Sequence, residues 1–142
     1  MVFDVFGNDR LIAWRDFRDS LETSEHPLED VAELWSRAPF VSAYLDPQKP
    51  SEWPDPWHLI LDLRLDDLAI ALGMLYTIKL TQRFMDTKCE IHTSMLSEKS
   101  EPSYLLIVDG KYVLNFEYKS VLDISSLENV KTTLLWSNSR LK

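Results

Sequence analysis

Cys89 and His92 are the one thiol and imidazole close enough in sequence to be read as a nucleophile and its base. A thiolate attacks a carbonyl carbon only when a base removes its proton and a third group orients that base. Such a pair would make the chain a cysteine-dependent acyl transferase or hydrolase, recognisable by an accessible thiol of low pKa. Their spacing works against it. KCEIHTSML alternates as a strand does, with Cys89, Ile91, Thr93 and Met95 on one face and Glu90, His92 and Ser94 on the other. Side chains on opposite faces cannot share a hydrogen bond. The competing reading makes Cys89 a small buried hydrophobe and His92 a surface residue.

Other reactive types are scattered. His26, His58 and His92 stand far apart, with no HxH or HExxH arrangement, so no metal site is expected. Asp62, Asp66 and Asp67 cluster where a helix begins, and acids there favour the helix dipole, so capping is the expected role. Only Gly7, Gly73 and Gly110 are present, too few for a phosphate-binding loop, a dinucleotide turn or a nucleophile elbow. The chain therefore implies no cofactor. Tyr104, Tyr112, Phe116 and Tyr118 could resemble a base-stacking sheet, but Lys111 and Lys119 are the only cations among them, which favours packing.

The elements that must position these residues follow from patterning. From Leu68 to Ile78 every side chain except that of Thr77 is apolar or absent, so this helix has no solvent face and is expected at the centre of the domain. SYLLIV and KYVLNF flank Asp109-Gly110, a dipeptide that accepts the positive φ angles of a type I′ turn, which predicts a two-residue hairpin. With the strand at Cys89 this gives a three-stranded antiparallel sheet. SYLLIV is apolar on both faces, so its strand should be covered on each side, once by the central helix. TTLLW at 132–136 reads as a last strand or a docking tail, and Ser125 with Glu128 has capping-box spacing.

Upstream, Asn8 is expected to cap a helix over about residues 9–22, with Leu11, Trp14, Phe17 (or Arg18) and Leu21 at helical spacing. Its remaining faces carry Arg10, Arg15, Asp16, Arg18 and Asp19, a mixture that reads as solvated surface. A second helix starts at Pro27, buries Val31, Leu34 and Trp35, and stops before Pro39. Between Pro39 and Trp57 lie five of the seven prolines, interleaved with Phe40, Tyr44, Trp53 and Trp57. This stiff stretch is expected to wrap the domain and bury most of its rings, because exposed aromatics cost solubility. Within it, Asp55 can cap a short helix with Pro56 as its first residue.

Length and charge set the outer bounds. One domain spanning 1–142 is expected, with a helical part at 1–38, the Pro/Trp-rich wrap at 39–57, and the central helix and sheet at 58–142. A lone cysteine and the absence of a basic-then-apolar leader favour a reducing, cytoplasmic compartment. The eleven residues of the central helix fall short of the ~20 that cross a bilayer, so no membrane association is expected. The formal charge of −8, from 23 acidic against 15 basic residues, disfavours nucleic-acid binding. An acidic inhibitor of a nucleic-acid-binding protein remains an alternative, and it would require one contiguous acidic face.

The order of central helix, strand, loop and Asp-Gly hairpin resembles the transglutaminase-like, papain-like core over about half of the chain. In that family the helix opens on a nucleophilic cysteine, followed two residues later by an acid and then by a small residue. Arg64-Leu65-Asp66-Asp67-Leu68-Ala69 matches the acid and the alanine, and the resemblance places Leu65 at the nucleophile. It places the histidine near Pro102 or Ser103 and the aspartate at Asn115. All three catalytic positions depart from the pattern. The resemblance thus implies a relative without the Cys/His/Asp triad.

The expected fold class is α+β, with N-terminal helices and a buried central helix packed on a small antiparallel sheet. The expected function is a non-catalytic protein-binding or assembly module whose partner is another protein. Its Trp-rich, motif-poor texture is similar to that of many bacteriophage proteins, which implies a structural or host-modulating factor in the virion or host cytoplasm. Trp53, Asp55 and Trp57, with Lys99 and Glu101 of a polar loop, are the expected partner-binding residues, since aromatics beside a loop can anchor a partner.

Overall fold

The computed structural model describes residues 1–41, 45–94, 103–116, 119–127 and 130–137. Four helices precede the sheet: α1 (Gly7–Leu21), α2 (Pro27–Ser36), α3 (Pro56–Asp62) and α4 (Asp67–Lys79). The strands β1 (Cys89–Ser94), β2 (Ser103–Val108), β3 (Tyr112–Leu114), β4 (Leu122–Asp123) and β5 (Thr132–Ser137) form one antiparallel sheet in the order β4-β3-β2-β1-β5. The sequence alone indicated three strands. TTLLW completes the far edge as β5, and the two-residue β4 closes the other.

Helix α4 is the centre of the domain. Leu68, Ala69, Ala71, Leu72, Gly73, Met74, Leu75, Thr77 and Ile78 are all buried, because α2 and α3 pack on one side of it and β1 and β2 on the other. The sheet turns Cys89, Ile91, Leu106, Val108 and Leu114 toward this core. Leu105, Ile107 and Val113 point the other way into a second cluster closed by Leu127. A continuous apolar run along β2 is therefore the mark of a strand covered on both faces.

The turns follow their residues. Asp109 and Gly110 both have positive φ, at 58° and 62°, and the Lys111 amide donates to the Val108 carbonyl at 3.1 Å. The register places Val108 opposite Tyr112, so three residues rather than two join β2 to β3. Asp55 caps α3 by accepting from the His58 amide at 2.8 Å, with Pro56 in the first turn. Capping by Asn8 is not found. The Phe6 carbonyl accepts from the Asp9 amide at 3.1 Å, so the first turn closes earlier and Asn8 lies inside α1. Glu128 lies outside the described residues, and Ser125 sits in a 3-10 turn with its amide on Asp123 Oδ1.

Two arginines assigned to a solvated surface lie against the rest of the fold instead. Arg10 is only 5% exposed. Its Nε donates to the Val5 carbonyl at 2.9 Å, and its Nη1 donates to the carbonyls of Ile60 and Leu61 at 3.2 and 3.0 Å. Those two carbonyls are left without helical partners where α3 ends at the left-handed Leu63, so a cation from α1 satisfies the terminus. Arg10→Met keeps the stem and removes these bonds. It is expected to lower stability by about 2 kcal/mol in urea denaturation, and a loss under about 0.5 kcal/mol would show that water replaces the guanidinium. Arg18 lies against Trp14 and Trp57, its guanidinium carbon 4.5 and 5.6 Å from their ring centroids.

Among its described residues, the Pro/Trp-rich segment does not bury most of its rings. Trp53 is half-buried against Trp136, with ring centroids 6.3 Å apart, and its Nε1 donates to the Asp46 carbonyl at 2.9 Å. Phe40 is 64% exposed and Trp57 45% exposed. A bond from the Val41 amide to the Leu65 carbonyl fixes the chain beside α4 and leaves the Phe40 ring outside. Helix α3 turns Leu59 and Ile60 inward, so Trp57 and Leu61, one turn apart, face out. Tyr44 lies outside the described residues.

Candidate functional site

The start of α4, the start of β2 and the end of β3 come together, as the resemblance requires of a catalytic triad. The chemistry found there is different. Leu65 is fully buried, and its carbonyl accepts from Val41. Asp66 is the N-cap of α4. Its Oδ1 accepts from the Ala69 amide at 2.8 Å and its Oδ2 from the Leu45 amide at 3.1 Å. Asp67 reaches the sheet, accepting from the Tyr104 amide at 2.8 Å.

Asn115 closes this knot. Its Nδ2 donates to the Tyr104 carbonyl at 2.8 Å, to Asp67 Oδ1 at 3.2 Å and to the Asp67 carbonyl at 3.3 Å. The residue sits at φ 64°, a left-handed conformation that asparagine tolerates better than most side chains. Burial, with Asp66 and Asp67 nearby, raises the pKa of the Tyr104 phenol. The arrangement pins the sheet to the central helix through one amide side chain. It holds no thiol and no imidazole, and Pro102 lies outside the described residues.

Beside the knot lies an open cleft of about 320 Å³. Trp35 and Met74 form part of its wall, Phe40 and Phe116 its apolar flanks, and Asp67 and Asn115 its polar corner. Nothing local in the chain indicates this cleft, because Phe40 reads as a ring to be buried and Asn115 only as a missing aspartate.

The structure does not bring Cys89 and His92 together. Cys89 is fully buried on the core face of β1, and burial pushes its pKa up to about 12, the reverse of an activated thiol. His92 is on the other face, where Nδ1 lies 3.1 Å from Thr132 Oγ1 and Nε2 3.4 Å from Glu90 Oε1. The Thr132 contact ties β1 to the edge strand β5, and the Glu90 contact stays within β1.

Of the expected partner-binding residues, Trp53 packs at a tilt against Trp136, Asp55 caps α3, and Trp57 leaves nearly half its surface in water. The Asp55 carboxyl pKa is lowered chiefly by its bond from the His58 amide. Lys99 and Glu101 lie outside the described residues. Among the described residues no three His, Cys, Asp or Glu side chains are placed to share a metal ion. Within the same residues, no helix is long and apolar enough to cross a membrane.

No protein-family model matches the sequence, and no curated protein matches it. Solved structures do match by shape. Calcium-bound LapG of Legionella pneumophila superposes with a TM-score of 0.68 at 17% identity, covering 92% of this chain and 77% of LapG. The EGTA-treated form gives 0.66 at 18%, covering 92% of this chain and 75% of LapG. A third LapG structure gives 0.65 at 18%, with 92% and 77% covered. Identity this low carries the architecture alone: the chain has the transglutaminase-like α+β fold.

Proposed function

We propose that this protein is a non-catalytic protein-binding module on a transglutaminase-like fold. The observation that carries the reading is the Asp67–Tyr104–Asn115 hydrogen-bonded knot, with Leu65 sealed beside it, at the positions to which the resemblance assigns a triad. Cysteine chemistry needs a thiol that ionises near neutral pH beside a base, whereas Cys89 is buried and faces away from His92. Exposed aromatics give the binding half of the reading its support, since Trp and Phe are enriched in the centres of protein interfaces. A virion component or a host-modulating factor is the narrower form of this proposal, to be decided by the partner.

LapG is described with calcium bound, and the residues here do not match such a site. Calcium takes six to eight oxygens. Asp66 and Asp67 instead receive the amides of Ala69, Leu45 and Tyr104, and no third acid joins them among the described residues. No calcium-dependent step is proposed.

Alkylation of Cys89 tests the reading. Iodoacetamide at pH 8, followed by intact mass, is expected to leave the native protein unmodified and to label it once in urea. Rapid native labelling, with an apparent pKa below the ~8.5 of a free thiol, would overturn it and make His92 the next residue to replace.

A further inference from the structure

Among the described residues, Arg18 carries a side-chain chemistry that the fold does not absorb. It projects from α1 between two indoles that meet edge-on, with centroids 5.7 Å apart and planes at 72°. Trp14 is fully buried and forms the inner wall; Trp57, on α3, forms the outer one. The Arg18 Nε is sealed from solvent without a hydrogen-bond partner. Among the described residues its guanidinium makes no hydrogen bond and no ion pair. Of the neighbouring acids, Asp19 acts on it through charge alone, without a hydrogen bond or ion pair, and the Asp16 carboxylate is on Arg15 at 3.3 Å. Arg10 makes the contrast plain, since its donors are committed to three backbone carbonyls.

A buried donor without a partner costs stability, so it calls for a reason beyond packing. A guanidinium held over aromatic rings is preorganised as a two-pronged donor, the geometry that matches a carboxylate. The surroundings are apolar. Leu61 lies one turn beyond Trp57 on the outward side of α3, and Phe6 flanks Arg10, which is bonded to the Leu61 carbonyl. An acidic side chain with an aliphatic neighbour suits both halves of this surface. The formal charge of −8 repels such a segment at long range, but that repulsion is screened beyond about 8 Å at physiological salt. Recognition here is a contact event, not a steered one.

We propose that Arg18, Trp57 and Leu61 form a docking site for an acidic protein segment, with the partner's carboxylate on the Arg18 guanidinium and its aliphatic neighbour on Trp57 and Leu61. This rests on the protein-binding reading above and supplies the chemistry of the partner.

The test is an NMR titration of the isotope-labelled full chain with acetyl-Leu-Glu-Leu-amide and, separately, acetyl-Leu-Gln-Leu-amide. The Arg18 Nε–H and Trp57 indole N–H resonances are expected to shift saturably with the Glu peptide, and binding of the Gln peptide to be about 10-fold weaker. Arg18→Lys keeps the charge and loses the fork, so it should weaken the Glu peptide by about 10-fold while thermal melting moves little. Equal shifts from both peptides would reduce the site to apolar adsorption and overturn the proposal. So would shifts at other residues, or none. Inorganic phosphate shifting the same resonances at lower concentration than the Glu peptide would overturn the carboxylate assignment in favour of oxyanions generally. Failure here leaves the alkylation result untouched, whereas an activated Cys89 would remove the reading on which the site rests.

Discussion

Replacing Thr77 with valine is expected to cost the fold about 4 kcal/mol, the sum of two buried indole N–H groups left without an acceptor at roughly 1–3 kcal/mol each. Thr77 is fully buried in α4, and its Oγ1 is an acceptor for two tryptophans at once. Trp14 Nε1 on α1 and Trp35 Nε1 on α2 each donate to it at 3.0 Å. The hydroxyl then donates its own proton to the Gly73 carbonyl at 2.7 Å. A hydroxyl has two lone pairs and one proton, and here all three are in use. Valine has nearly the shape of threonine and none of this capacity, so both helices lose a polar anchor while the core keeps its volume. Urea denaturation should show a lower midpoint with an unchanged slope, since the surface exposed on unfolding is the same. Thr77→Ser is the control. It retains the oxygen and loses one methyl, for an expected cost of about 1 kcal/mol. A Thr77→Val loss no greater than that of Thr77→Ser would mean that the indoles find other partners.

That single polar position shows how far the sequence could be read. The central helix, the Asp55-Pro56 start of α3 and the Asp109-Gly110 turn are local events, set by residues within a few positions of one another, and they were legible. Thr77 stands out as the one polar residue between Leu68 and Ile78, yet nothing local indicates that Trp14, 63 positions earlier, and Trp35, 42 positions earlier, share its hydroxyl. Arg10 failed for the same reason. Its helix period placed it on a face of mixed charge, and only the end of α3, some 50 residues away, explains why a cation belongs there. Burial of the Pro/Trp-rich segment was argued from composition, and composition does not say which rings face inward once a backbone bond fixes the chain. At the candidate site, the resemblance singled out Leu65 and Asn115 from the sequence. That the Asn115 amide ties β2 to the start of α4, while the Leu65 carbonyl receives the Val41 amide, needed the hydrogen bonds themselves.

Gly73→Ala reverses the sign that helix propensity assigns. In an ordinary helix interior alanine is favoured over glycine by about 1 kcal/mol. At position 73 an added Cβ would lie 2.2 Å from Cη2 of Trp35, 2.5 Å from its Cζ3 and 2.6 Å from its Cζ2. These atoms belong to a rigid ring that is 1% exposed, held by its Nε1 bond to Thr77 and by an edge contact with Phe3 at 5.2 Å. The ring cannot fold away as the tip of a lysine could. Overpacking of this kind typically costs about 1–3 kcal/mol, and here it comes with a threatened buried hydrogen bond, so a net loss of about 3 kcal/mol is expected. Trp35 also lines the open cleft beside Asp67 and Asn115, which gives the ring one direction of escape. If it tilts that way, its indole N–H leaves Thr77, and Gly73→Ala and Thr77→Val then remove the same bond. The double variant should therefore lose less than the sum of the two single losses, and tryptophan near-ultraviolet dichroism should change in Gly73→Ala alone. Strict additivity, or an alanine variant as stable as the parent, would show that α4 itself shifts to make room and that the close approach of Trp35 does not require glycine.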